Sequence, residues 1–283
     1  MPEHGFQIRS VGADIAPGEE REYCEVARMP GAPTDEYYVS SMELANGKSS
    51  HHLGLALAAG GTHAALELEA VGVGNRIECP GPGLAFGDGT ELIATIQVPY
   101  GKTTLPPGVA RKHHGGDLIV FDYHYVNPGL DTLQARSAVN FHLVDPGTVE
   151  HVAEGFGLND VTIDVPPGQT GSVTGECHFD IDLMVSAFTR HTHRWGTDFS
   201  VWYSGGARDG VQIWSSLDWE HQTEFRFLEP VLLQAGEGFR YRCSYANDTT
   251  RRLRFGTSVN DEMCILYGPA WAAHSGERRR QGD

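Results

Sequence analysis

Leu118-Ile119-Val120-Phe121-Asp122-Tyr123-His124-Tyr125-Val126-Asn127-Pro128-Gly129 shows the architecture at the scale of one segment. Leu118, Val120, Asp122 and His124 alternate with Ile119, Phe121, Tyr123 and Tyr125, two sets that a β-strand sends to opposite faces. Asn-Pro-Gly then forces a turn. Outward from it the same grammar recurs. Strand patterns stand at 22–28, 36–44, 90–98 and 137–144, with an apolar run at 53–59, a Gly/Pro-rich loop at 71–89 and a turn at Leu105-Pro106-Pro107-Gly108-Val109. The polar, turn-rich span 145–160 marks a domain boundary. Beyond it the pattern restarts at 161–165, 171–179, 181–194, 198–204, 211–217, 223–228, 238–245, 253–257 and 262–267. Short strands at this spacing, split by Gly, Pro, Asn and Asp, predict an all-β protein: two tandem antiparallel β-sandwich (jelly-roll-like) domains, 1–150 and 151–283, facing a cleft. No long amphipathic helix and no internal sequence repeat is legible.

The chain has 283 residues, 40% hydrophobic and 20% charged, which is globular and ample for a core. A net charge of −16 leaves no basic excess to neutralise nucleic-acid phosphates. The one basic cluster, Arg278-Arg279-Arg280, reads as a solvated tail. No apolar run approaches a membrane span, and the N-terminus lacks the basic and apolar regions of a signal peptide. Five cysteines (Cys24, Cys79, Cys177, Cys243, Cys264) are too few for a disulfide scaffold, and the odd count leaves at least one free or paired between chains. Asn247-Asp248-Thr249 fits a glycosylation triplet, a common pattern of little weight. Trp195, Trp202, Trp214, Trp219 and Trp271 read as core or cleft-wall residues.

Fourteen histidines are many for this length, and they cluster. His191-Thr192-His193 places two imidazoles at i and i+2, hence on one face of a strand. A pair is not a site, because first-row metals want further ligands. The chain offers a soft one late, Met263, and a thioether beside two imidazoles favours cuprous copper. An acid five residues on, Asp198, permits a rival: a cupin-like non-haem iron site of His191, His193 and Asp198. The first half holds His51-His52, His113-His114 and His124. Adjacent strand residues face oppositely, so His51 and His52 share a metal only at a bulge or strand entry. The plainest alternative for all of these is exposed strand histidines and a core methionine.

Ser50-His51-His52 before an apolar run, Leu105-Pro106-Pro107-Gly108-Val109, Tyr123-His124-Tyr125, His191-Thr192-His193, Arg242-Cys243-Ser244-Tyr245, Gly256-Thr257-Ser258 and Asp261-Glu262-Met263-Cys264 fall in this order over residues 45–270. As an ordered set they resemble the copper type II, ascorbate-dependent monooxygenases, the family of peptidylglycine α-hydroxylating and dopamine β-monooxygenase. The resemblance implies two copper ions per chain. His51, His52 and His124 would hold the electron-transfer copper, with His113-His114 a lesser candidate, and His191, His193 and Met263 the copper where oxygen and substrate react. It also implies a Cys243–Cys264 disulfide and a role for Tyr267 at the reacting centre. The reaction would hydroxylate a C–H bond of a small organic substrate with O2 and an ascorbate-like reductant, the second electron crossing the interdomain cleft. Departures bear on the substrate. Thr189 stands where the peptide enzymes carry the arginine that grips a carboxylate, Ile265 replaces their asparagine, and Asp122 replaces a glutamine. A glycine-extended peptide is therefore not the expected substrate. Arg190, one place along, should face away from the metal. Carboxylates expected behind the ligands are Asp122, Asp180, Asp182 and Glu262. The family's dense disulfides are mostly missing, which suits a bacterial periplasmic or exported relative whose leader is absent from this sequence. A copper binder without turnover is the non-enzymatic alternative.

Overall fold

A computed structural model describes residues 2–47, 49–79, 89–221, 224–256, 258 and 260–274. The Arg278-Arg279-Arg280 tail, residues 80–88 of the expected loop, Thr223 of the expected strand at 223–228 and Thr257 of the Gly-Thr-Ser motif lie outside them. The all-β expectation holds.

In the first half, one sheet runs in the order β1 (Gly5–Arg9), β12 (Ser137–Leu143), β4 (Glu36–Asn46), β9 (Val109–His114), β13 (His151–Val152), with β8 (Tyr100–Thr104) also on β4. The other runs β6 (Arg76–Glu78), β3 (Glu20–Arg28), β10 (Leu118–Val126), β5 (Ser50–Ala58), β7 (Thr90–Ile96). β2 (Ala13–Ile15) and β11 (Leu133–Ala135) form a two-stranded ribbon. The expected loop at 71–89 holds β6, and a short helix unforeseen from sequence, α1 (His63–Val71), precedes it with Thr62 as N-cap. Val39, Met42, Leu44, Val139 and Phe141 of one sheet meet Leu53, Leu55, Ile119, Phe121 and Tyr123 of the other in one buried core. Each such side chain contributes about 1.5–3 kcal/mol by leaving water.

The second half repeats this wiring. One sheet runs β14 (Glu154–Asn159), β23 (Ile265–Ala272), β17 (Leu183–His191), β20 (Phe225–Leu233); the other β16 (Thr170–His178), β21 (Gly238–Ala246), β18 (Gly196–Ser204), β19 (Gln212–Ser216); β15 (Asp164–Val165) and β22 (Leu253–Arg254) form the ribbon. The repeat reaches single hydrogen bonds. Tyr125 Oη donates to the Arg136 carbonyl (3.3 Å) as Tyr245 Oη does to that of Met263 (2.9 Å). Asn127 Nδ2 donates to the carbonyls of Ile15 and Asp131 as Asn247 Nδ2 does to those of Val165 and Arg251. With its amide nitrogen so engaged and 2% exposed, Asn247 is closed to glycosylation in the folded chain. Register carries the correspondence to the His-Thr-His motif: Ala138 faces Ala45 across β12–β4 as Ile265 faces His191 across β23–β17. His191 and His193 therefore stand where the first half has Ala45 and Gly47.

Two disulfides form, Cys243–Cys264, as the resemblance implies, and Cys24–Cys79, which was not foreseen; Cys177 is free. Among the described residues no helix is long and apolar enough to cross a membrane.

Candidate metal centre

His51 and His52 open β5, and His124 lies opposite His52 near the end of β10. The pairing slips there: His124 faces His52, but Tyr125 faces Ser50, leaving His51 as the extra residue of a bulge. That irregularity turns two sequence neighbours toward one point. Ser49 just before it has a left-handed backbone, φ 64°. One ring nitrogen from each of His51, His52 and His124 falls within 4.8 Å of the others.

His191 ends β17 and His193 lies just beyond it, with ring centroids 5.0 Å apart. The sequence separates these from the first-half histidines, but the fold does not. His51 and His193 have centroids 5.6 Å apart, His52 and His191 5.7 Å, and His51 and His191 6.5 Å. Five imidazoles contributed by both halves meet in one cluster, and His52, His124, His191 and His193 are buried in it.

The polar partners orient the rings. His124 Nε2 lies 3.0 Å from Glu20 Oε1, and its Nδ1 is buried without a hydrogen-bond partner among the described residues. His193 Nδ1 lies 2.9 Å from the Asp261 carbonyl, and its Nε2 is likewise buried and unpartnered. In each ring one nitrogen is held by an oxygen and the other is left bare, the arrangement a metal ligand requires. His51 Nδ1 and His52 Nδ1 face each other at 3.1 Å. Burial alone would lower the basicity of His52, but Asp122 (3.5 Å) and Glu22 (3.6 Å) on its Nε2 side outweigh it and raise its pKa to about 10. Burial, then the charge of neighbouring His52, drives His51 far below its usual value. Copper(I) or copper(II) suits such an imidazole set, so the residues fit the metal.

Met263 is 6% exposed, packed with Ile265, Tyr267 and Phe255 and with Leu92 of the first half. Its loop grips the histidine pair: the Glu262 carboxylate accepts from the backbone N–H of His193 (2.9 Å) and of Trp195 (2.7 Å). Burial raises the Glu262 pKa to about 7 against those same N–H groups. Tyr267, 7% exposed, stands opposite Thr189 in the β23–β17 register. Both line a small cavity of about 40 Å³ between the halves, together with Arg111, Glu224 and Leu92.

Asp122 faces a ring nitrogen of His52 as expected, whereas Glu262 holds the His193 backbone N–H rather than its ring, and Asp182 accepts from Ala235 N instead. Glu20, Glu22 and the Asp261 carbonyl were missed; the signal lay in strand pairing, since only β3 lying beside β10 brings Glu20 and Glu22 to the cluster. Arg190 turns from the cluster as expected, donating to Ser216 Oγ at 3.0 Å and stacking on Trp214. Asp198 sits on β18, in the other sheet, bonded to Ser200 Oγ and 3.7 Å from Arg242, which removes it from an iron triad with His191 and His193. His113 is buried and His114 pairs with Glu36 and Asp117, so neither joins the cluster.

Among solved structures, the STIV MCP is 7% identical over 95% of this chain and 97% of that one, at a TM-score of 0.39. The major capsid protein P2 from bacteriophage PM2 is 12% identical over 98% and 100%, at 0.34. TM-scores this low bear on neither fold nor function. The family comparison is informative: residues 156–275, which contain His191, His193, Met263 and Tyr267, match the model described as copper type II ascorbate-dependent monooxygenase, C-terminal domain, so this part of the chain is similar to that domain.

Proposed function

We propose that the protein is a copper-dependent monooxygenase that hydroxylates a C–H bond of a small organic substrate, using O2 and an ascorbate-like reductant. The observation that carries this is the convergence of five imidazoles with buried, bare nitrogens on His124 and His193. His51, His52 and His124 would hold one copper ion, and His191, His193 and Met263 a second. Copper held there would supply one-electron redox chemistry and activation of oxygen. The remaining roles belong to the chain. Glu20 and the Asp261 carbonyl fix two ring tautomers. The Glu262 carboxylate holds the His193 backbone against the Met263 loop. Burial of four of the five histidines keeps water off the reacting centre. Tyr267 and Thr189 would face the substrate from the interdomain cavity, which must open to admit one. Thr189 carries no charge to grip a carboxylate, and Arg111 in the same cavity is paired with Glu91, which argues against a glycine-extended peptide as substrate. The two disulfides suit a secreted or periplasmic setting.

The test is copper content per chain with EPR for the wild type, His51→Ala, His193→Ala and Met263→Ala, alongside ascorbate-driven oxygen uptake over a substrate panel. Two coppers are expected, with His51→Ala and His193→Ala each losing a different one. Full retention of copper by Met263→Ala, with its EPR signal unchanged, removes the thioether from the site. Hydroxylated product from no substrate leaves only a copper-binding protein.

A further inference from the structure

The duplicated wiring leaves a recess in the first half at the position where the second half builds its His191/His193/Met263 motif. Ser10 N bonds to the Ser137 carbonyl (2.9 Å) as Asp160 N does to that of Cys264 (3.0 Å). With the shared tyrosine bonds, this sets Arg136 in the place of Met263, and Ala45 and Gly47 in the places of His191 and His193. Two imidazoles have become a methyl group and a hydrogen. The volume they vacate is a recess of about 380 Å³ lined by Arg9, Ser10, Ala45, Asn46, Arg136 and Ser137, among others.

Its charge is unlike that of the chain. The protein carries a net −16, yet the lining holds two arginines and no acid. Arg136 spends Nη1 on the carbonyls of Ala135 (2.9 Å) and Ala13 (3.4 Å), and among the described residues its Nη2 approaches the exposed Asp14, at 3.9 Å. Among the described residues, Arg9 bonds the neutral Gln7 side chain. Two guanidinium groups in one concave site suit a small anion with paired oxygens.

The floor leads to the metal centre. Asn46 is 5% exposed; its Oδ1 accepts from Tyr125 Oη (2.6 Å) and Ser137 Oγ (2.7 Å), and its Nδ2 donates to the His52 carbonyl at 2.9 Å. A donor seated on Asn46 is thus one hydrogen bond from the backbone of a histidine in the three-imidazole set.

We infer that this recess is the docking site of the reductant, a small enediol monoanion of the ascorbate class, which passes one electron toward His52. The inference rests on the copper reading above. The monoanion would lose one electron and one proton, becoming its radical anion; where His51, His52 and His124 hold a cupric ion, the electron would reduce it, and the proton would leave to solvent.

Anaerobic calorimetric titration of ascorbate into copper-free protein tests the site without turnover. Arg136→Gln and Arg9→Gln should each weaken binding by about tenfold, as loss of a charge-assisted contact implies, and Arg136→Lys by less. Ala45→Leu, which fills the recess and leaves both arginines in place, should also weaken it. In copper-loaded protein the same variants should slow reduction of the Cu(II) EPR signal by ascorbate, with copper content and the rate with a neutral hydroquinone unchanged. Equal ascorbate affinity in the Arg9→Gln/Arg136→Gln double variant overturns the proposal, as does sulfate binding with the same affinity, which marks a general anion site. Arginine-dependent binding in a chain that takes up no copper would support the docking site and refute the copper reading; bound copper with arginine-independent binding would do the reverse.

Discussion

At the scale of single residues, the cluster depends on groups behind the ligands. Glu20 holds the far nitrogen of His124, so Glu20→Ala frees the ring to rotate and to change tautomer. Copper affinity of the three-histidine set should fall about 10–100-fold, the usual cost of losing such a partner, measured by competition with a chelator. Unchanged affinity would show that packing alone fixes the ring. A second histidine governs acid stability without touching the cluster. Burial, then the charge of Arg111, lowers the pKa of His113 to about 3. A lowered folded-state pKa means that between pH 6.5 and 3 the unfolded chain takes up a proton that the native chain refuses, so stability falls as pH falls. By pH 5 this one group should cost about 2 kcal/mol relative to neutral pH. His113→Leu should lose that part of the pH dependence in denaturant unfolding of the copper-free protein; an identical slope in both proteins would place the acid sensitivity elsewhere.

At the scale of elements, the strand pattern of β10 was legible: the alternation read from sequence matches a strand over Leu118–Val126, buried on both faces, with one set in the main core and the other toward α1. The histidine bulge was legible as a requirement, since adjacent residues cannot otherwise share a ligand position; its location came from the β10–β5 register. Glu20 and Glu22 could not be assigned, because which strand lies beside β10 is a long-range fact without local signal. α1 is nine residues long and buries only Ala64, Ala65 and Leu68, too few for its periodicity to stand out. The Cys243–Cys264 bond, closing 21 residues of chain, ties β21 to the residue after Met263. Replacing both cysteines by alanine should cost about 3 kcal/mol through the unfolded chain's regained freedom, read from chemical unfolding. It should also loosen the Met263 loop and lower copper retention at His191/His193 while the three-histidine set keeps its metal. Loss from both sets at once would mean that the disulfide supports the whole fold rather than this loop.

At the scale of the molecule, the sequence shows no internal repeat, yet strand order, register and capping asparagines recur in both halves. Only scattered positions, such as Asn127 and Asn247 or Tyr125 and Tyr245, carry side chains that the shared wiring requires. The rest diverged, so that the first half bears its imidazoles on the β5–β10 sheet and the second on the β17–β23 sheet. Placing those two unlike faces against each other is what unites the five rings, and sequence spacing cannot report it. The junction is close: Gly155 N donates to Glu91 Oε1 at 2.6 Å, and a Cβ on Gly155 would lie 3.0 Å from the Leu92 carbonyl oxygen. Gly155→Val should therefore act as a wedge between β14 and β7, at about 1–3 kcal/mol of overpacking. With Cu(II) on both sets, ring contacts of 5.6–5.7 Å across the halves predict magnetically coupled ions in the wild type. The wedge should convert them to two isolated EPR signals with copper content unchanged. Two isolated signals already present in the wild type would mean that the halves stand apart in solution and that electrons cross a wider gap than the ring contacts allow.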